Sequence, residues 1–323
     1  MVEIREIVDW YRDRGNRVIL SEATSMQLIK APKAINSARV EHLSFINGKF
    51  ATQCNELIQS ANCQLILVDE VLESNLKELP TNISFVFSKN PKEDVVAFCK
   101  EFLNFEAVLS ETVIHSSATI ASDVQISGCV TIASGVVLEE NVKIGDNCKI
   151  GANTIIHANT IIGNNVDIGA NNVIGGVGFG YAQNSETKEY EQFPHYGSVI
   201  IHNDVSIGNN TCIDRGSLSD TIIHDGVKID NLVHIAHNVE IGKNSLIIAH
   251  AMIAGSVTIG KSCWIAPSSC IRNGIKIGNN VTVGLASTVV KSVEDNQTVM
   301  GSPAVDIEEF KRLRAAQSRM TKD

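Results

Sequence analysis

A branched apolar residue recurs at every sixth position through most of this chain, and few folds accommodate that period. It runs from Ile114 through Ile120, Ile126, Ile132, Leu138, Ile144, Ile150, Ile156, Ile162 and Ile168 to Ile174. It returns at Ile201, Ile207 and Ile213, then continues from Ile223 in steps of six to Val289. A fixed self-similar period marks a stacked repeat. Each hexad supplies one short strand and a corner, so three hexads, eighteen residues, close one coil. Successive coils then pair as parallel strands about 4.8 Å apart, with the isoleucines stacked inside.

The rest of the hexad agrees. Two residues before each isoleucine stands a small or β-branched residue, as at Val124, Val130, Val136, Thr154 and Val166. Positions two apart share a face of a strand, so both can point inward. Glycine often follows the isoleucine, as at Gly145, Gly151, Gly163, Gly242 and Gly260. Glycine and asparagine are expected at the corners because both tolerate left-handed backbone angles. An amphipathic helix or coiled coil needs apolar spacings of three and four, which a strict six does not give. The expected fold is mainly β: a parallel β-helix.

Composition bounds the rest. A net charge of −9 and a pI near 5.5 argue against nucleic acid as a partner. Val2 to Arg14 mixes acids, bases and apolar residues, unlike a signal peptide, and no apolar run is long enough to span a membrane. Eight cysteines lie scattered without a CxxC pair; Cys148 and Cys263 fall on inward hexad positions and read as packing residues. A cytoplasmic location is expected.

Three regions follow. Residues 1–108 lack the hexad and read as a small α/β domain. Ile4, Ile7, Val8 and Tyr11 have helical spacing, and Val18–Leu20, Leu43–Ile46, Leu65–Val68 and Ile83–Phe87 are strand-like. Pro91 opens a helix carrying Val95, Phe98, Phe102 and Phe105 on one face. The β-helix occupies 109–304, and 305–323 reads as a final helix, with Ile307, Phe310 and Leu313 spaced by three. Two breaks interrupt the period. About twenty residues after Ile174, including Gly178–Tyr181 and Phe193–Tyr196, leave the coil, and a shorter bulge leaves it around Arg215–Asp220. Excursions from a regular scaffold are where binding residues tend to sit.

Of nine histidines, the register sorts the eight that follow residue 108. His237 lies on a strand flank, and one coil further stands Gly255. An imidazole can take a proton from an attacking amine, and a nearby backbone N–H can hold the oxygen of the tetrahedral intermediate. A plain surface corner residue remains the alternative for His237. His234 and His237 form an HxxH, but a zinc site needs at least three converging ligands, so no metal is expected. His202 and His224 read as corner residues, His115 and His157 as solvated, and His250 lies near the candidate site without a partner. His195, on the long excursion, reads as a substrate contact.

Asn231-Leu-Val-His-Ile-Ala-His-Asn238, preceded by Asp214-Arg215-Gly216, resembles the UDP-3-O-acylglucosamine N-acyltransferases of lipid A biosynthesis. Gly178-Phe-Gly-Tyr181 and Gly301-Ser-Pro-Ala304 are similar too, and the order of domains matches along nearly the whole chain. The resemblance implies a left-handed β-helix, against the usual crossover hand, and a homotrimer with sites between subunits. It places a general base at His237 and an oxyanion-binding N–H at Gly255. Ser44–Phe50 resembles a uracil-sandwiching motif, which implies substrate contacts from Phe45, Asn47, Lys49 and Phe50; for Phe45 a core role stays open. Asp230 is expected to join the substrate contacts. The basic tail with Lys311, Arg312, Arg314, Arg319 and Lys322 is expected to meet acyl carrier protein; a merely solvated face is the alternative.

Three departures stand out. Gly274 occupies the position of the family's second histidine, the uracil motif is one residue shorter, and His195 replaces a glutamine. The leading expectation is transfer of a (3-hydroxy)acyl group from a phosphopantetheine thioester to the amine of a UDP-linked amino sugar, with no permanently bound cofactor. A close rival uses acyl-CoA and a dTDP- or UDP-amino-deoxysugar. More remote are a trimeric zinc carbonic anhydrase, which the histidine spacing does not supply, and a non-catalytic scaffold.

Overall fold

The computed structural model describes residues 1–103 and 109–320, with side chains to 317; Phe105 and the side chains of Arg319 and Lys322 lie outside this range. The chain divides into two compact units, Met1–Val108 and Leu109–Asp323.

In the first unit, five strands form a mixed sheet in the order Arg17–Ile19, Ser84–Ser88, Leu65–Asp69, His42–Ile46, Ala31–Pro32. Alternation splits its side chains between two cores. Leu43, Leu65, Leu67 and Val86 pack with α1 (Ile4–Asp13) and α3 (Pro91–Phe102), while Ile46, Ile66, Val68, Phe85 and Phe87 pack with α2 (Cys54–Gln59). Helix α3 starts as its sequence predicts, with Pro91 in the first turn and the Asn90 side chain accepting from Glu93 N–H.

The second unit is the parallel β-helix. Strands of two to four residues stack into three parallel sheets, and each isoleucine column is continuous: Ile132 pairs with Ile150, Ile150 with Ile168 and Ile168 with Ile207. The column residues from Ile132 to Val289 are at most 3% exposed. Removing any one would leave a cavity costing about 2–5 kcal/mol. A C-terminal strand, Ala304–Asp306, pairs antiparallel with Thr298–Gly301, and α4 (Ile307–Met320) follows.

The corners correct one expectation. The residue in the left-handed region lies three after the isoleucine, where asparagine dominates: Asn141, Asn147, Asn153, Asn159, Asn165 and Asn238 have φ between 54° and 66°. The glycines directly after the isoleucines are there for a different reason. A Cβ on Gly242 would stand 2.6 Å from the carbonyl carbon of Gly260 in the next coil, and one on Gly260 would stand 2.7 Å from that of Gly278. Only a bare Cα lets the coils stack there.

Both breaks in the period are real insertions. The regular eighteen-residue step becomes thirty-nine between Val173 and Cys212, and the extra chain forms an antiparallel hairpin, Tyr181–Gln183 with Tyr190–Gln192. The next step, Cys212 to His234, is twenty-two, with the added residues bulging at Ser217–Asp220. Three of the histidines read as corner or solvated residues have partners. His157 pairs with Glu139 at 3.1 Å rather than standing solvated, and His202 stacks on His224, whose Nε2 lies 2.7 Å from Glu240.

Candidate active site

The long insertion borders a cleft of about 340 Å³, lined by Phe179, Asp214, His234, Ala236, His237, Met252, Ala254, Gly255, Ser256 and Asn273. Its floor is the face carrying the strands Cys212–Asp214, His234–Ile235 and Met252–Ile253.

His237 follows the strand His234–Ile235, one coil below Gly255, and its carbonyl accepts from Ser256 N–H at 2.9 Å. Its ring occupies the space a side chain at 255 would need: a Cβ there would stand 2.7 Å from both Cε1 and Nε2. The other ring nitrogen, Nδ1, lies 2.9 Å from Asn238 Oδ1. That amide is oriented by groups that cannot exchange roles. Oδ1 accepts from the backbone N–H of Ser217, and Nδ2 donates to the carbonyl of Ser219 at 2.9 Å. Oδ1 is therefore an acceptor, Nδ1 carries the hydrogen, and Nε2 presents its lone pair to the cleft. Ser217 and Ser219 belong to the short bulge, so the insertion sets the tautomer of the histidine. Gly216 permits the bulge, since a Cβ on it would overlap the Ser219 carbonyl.

Gly255 N–H is unpaired among the described residues. At several other corners a side chain from the next coil caps the equivalent donor, as Asn164 caps Asp146 N–H and Asn209 caps Ala170 N–H. Gly255 N–H carries no such cap and is left as a donor for an oxyanion.

Asp214 faces the same cleft with its side chain 15% exposed, and its Oδ2 lies 3.8 Å from His234 Nε2. Burial pushes its carboxyl up from the ordinary value, against the opposing pull of His234, His237 and His195. The neighbouring Arg215 turns away and binds the carbonyls of Gly175 and Ala158 at 2.7 and 2.8 Å, fixing the start of the long excursion. Sequence reasoning missed the Asp214–His234 pair. The insertion makes their spacing irregular, although Asp214 already stood in a recognised motif.

His195 returns from the hairpin to lie edge-on to His237, ring centroids 5.5 Å apart. Its Nδ1 donates to the Phe193 carbonyl at 2.8 Å, which leaves Nε2 buried without a partner among the described residues. Asp230 does not line the cleft. One carboxylate oxygen accepts from Asn231 and the other from Ala249 N–H, so the side chain braces a corner. Gly274 stands beyond the cleft-lining Asn273 with open space around its Cα. Among the described residues no cluster of three His, Cys, Asp or Glu side chains is placed to hold a metal.

In the N-terminal unit, Phe45 is half-buried against the α1–α3 core, while Phe50 is 36% exposed with Lys49 Nζ 5.2 Å from its ring centroid. No ring contact joins Phe45 to Phe50 among the described residues. Asn47 Oδ1 and the buried Ser44 Oγ have no hydrogen-bond partner there. On α4, Lys311 pairs with Glu308 at 2.7 Å, Arg312 Nε donates to the Glu308 carbonyl at 3.4 Å and Arg314 to Gln317 at 3.3 Å. Phe310 and Leu313 border an apolar groove with Gly301, Pro303 and Val305. Among the described residues no helix is long and apolar enough to cross a membrane.

The fold is a mainly β, parallel β-helix of hexapeptide repeats. The family described as Bacterial transferase hexapeptide (six repeats) matches residues 141–176 and 220–255, the second segment containing His237. Curated relatives carry a particular name. Over 139 residues, 43% of this chain and 40% of the relative, the chain is 55% identical to UDP-3-O-acylglucosamine N-acyltransferase 2 of Legionella pneumophila (strain Paris). Over 149 residues, 46% of this chain and 42% of the relative, it is 50% identical to UDP-3-O-acylglucosamine N-acyltransferase of Rickettsia akari (strain Hartford). The matched segment thus spans under half the length of these relatives. A solved UDP-N-acetylglucosamine acyltransferase from Bacteroides fragilis shares the fold with a TM-score of 0.53 and 26% identity, over 62% of this chain and 77% of that one. The resemblance to the UDP-3-O-acylglucosamine N-acyltransferases, read first from Asp214–Gly216 and Asn231–Asn238, is borne out.

Proposed function

We propose that this chain is an N-acyltransferase that moves a (3-hydroxy)acyl group from the phosphopantetheine thioester of acyl carrier protein to the amine of a UDP-linked amino sugar, in the cytoplasm. The observation that carries the reading is the pairing of a tautomer-locked His237 with the uncapped N–H of Gly255. The amine nitrogen attacks the thioester carbonyl carbon, and the carbonyl oxygen, now an oxyanion, accepts from Gly255 N–H. His237 Nε2 takes the proton from nitrogen. The C–S bond then breaks, and the proton passes to the departing thiolate, giving an amide and a free thiol. No metal or permanently bound cofactor enters these steps.

Phe50, Lys49, Phe45 and the unpartnered Asn47 amide support a uridine subsite in the N-terminal unit. Lys311, Arg312 and Arg314 form the surface for the acidic carrier, and His195 contacts the acceptor from behind His237. The active unit is a homotrimer with sites between subunits. Gly274, without an imidazole, keeps one second reading in view, an acyl-CoA-dependent transfer to a dTDP- or UDP-amino-deoxysugar.

One experiment separates these readings. Purified protein is incubated with UDP- and dTDP-amino sugars, each with acyl-CoA and acyl-carrier-protein donors, while released thiol and product mass are followed. Turnover is expected with the UDP sugar and the carrier-protein donor, and His237→Ala should lower it about 10²–10⁴-fold. Undiminished turnover in that variant would remove His237 from the mechanism. No turnover with any pair would mark the chain as a binding scaffold.

A further inference from the structure

Three polar groups are ordered along the β-helix axis at this cleft, one per coil. Continuing the register Cys212 with His234 and Ile213 with Ile235, Asp214 lies under Ala236, and Ala254 lies above it. Asp214 is therefore about 4.8 Å below the His237 coil, and Gly255 about as far above it. The intervening residues, Ala236 and Ala254, are small, so the floor between carboxylate and N–H stays open. The axis reads carboxylate, imidazole, amide N–H.

We propose that Asp214 is the specificity-determining residue that selects an amine over a hydroxyl acceptor, an inference that rests on the acyl-transfer reading above. As the C–N bond forms, the attacking nitrogen becomes positive and the carbonyl oxygen negative, until His237 Nε2 removes the nitrogen's proton. The positive end then points at Asp214 and the negative end at Gly255 N–H. A hydroxyl attacking under general-base assistance carries no comparable positive charge, so the carboxylate offers it little. Stabilisation confined to the charged intermediate raises rate rather than mere occupancy. The side chain is placed for this. It is 15% exposed, faces His234, His237 and His195, and is not neutralised by Arg215, whose guanidinium is bound to two backbone carbonyls.

The test uses Asp214→Asn, which keeps the shape and removes the charge, with one acyl thioester and two acceptors: a UDP-linked amino sugar and the same UDP sugar bearing a hydroxyl in place of the amine. Turnover of the amine should fall about 100-fold, while transfer to the hydroxyl analogue stays within about threefold of the parent. Binding of both nucleotide sugars by calorimetry supplies a second readout independent of turnover. Both ligands should bind within about threefold of the parent, as expected when the carboxylate acts only once the C–N bond has begun to form. Equal losses of turnover for both acceptors, no loss of turnover for either, or a loss of amine binding that accounts for its lost turnover would overturn the assignment while leaving the acyltransferase reading intact. Absence of turnover in the parent protein would instead overturn that reading, and this inference with it.

Discussion

The imidazole of His237 and the bare Cα of Gly255 share one space: a Cβ on Gly255 would stand 2.7 Å from both Cε1 and Nε2 of the ring. The ring cannot swing aside freely, because its Nδ1 is tied to Asn238 Oδ1 at 2.9 Å. Gly255→Ala should therefore misplace the base and crowd the oxyanion donor, lowering kcat about 10²–10³-fold. Circular dichroism and melting temperature should stay near the parent's. Full activity in this variant would show that the contact is incidental.

Asn238 bonds the bulge at Ser217 and Ser219, and its effect on catalysis should pass through His237. Asn238→Ala removes the acceptor that holds hydrogen on Nδ1, so part of the population presents Nε2–H to the substrate. The expected result is a fall in kcat of about 10–100-fold with KM little changed. Asn238→Asp keeps an oxygen that can accept the same hydrogen bond and should recover part of the loss. A purely structural role would lower stability in both variants without this split.

Asp214 ties stability to pH. Burial raises its carboxyl, so the folded protein holds the proton more tightly than the unfolded chain does. Stability from this group is present below the ordinary aspartate value and is lost as pH rises through the raised one. Asp214→Asn should melt above the parent near about pH 7, and the advantage should vanish toward about pH 3, where both chains are neutral at this position. A melting advantage independent of pH would rule out this origin. The variant would then be more stable yet slower, as expected when a site holds a costly charge for its chemistry.

Phe45 and Phe50 should part company. Phe50 is 36% exposed in the turn after its strand, so Phe50→Ala should raise KM for the nucleotide sugar about tenfold with little change in melting temperature. Phe45 packs against the helical core, so Phe45→Ala should lower stability by about 1–3 kcal/mol in chemical denaturation. The reverse pattern would assign the stacking ring to Phe45.

Much of this was legible in the chain because the hexad is a local rule. Ile132, Ile150 and Ile168 had to stack once the period was read, and the same ruler placed Gly255 one coil above His237. The N-terminal strands were visible as short apolar runs, but not their sheet order, since pairing between distant segments leaves no local period. For Asp230 the ruler reports which corner it occupies, not that the backbone N–H groups of Asn231 and Ala249 claim its oxygens. The glycines after the isoleucines were explained by backbone freedom, whereas stacking against the next coil is what demands them.

By itself, then, the sequence determined the coil, its isoleucine core and the positions where the chain leaves it, because all three follow from periodicity. Tertiary structure decided the chemistry. Only folding brings Ser217 and Ser219 from one insertion to the Asn238 amide, His195 from the other to His237, and Asp214 from the coil below into the cleft. Insertions carry no period, so their landing points depend on contacts between coils that no local pattern records.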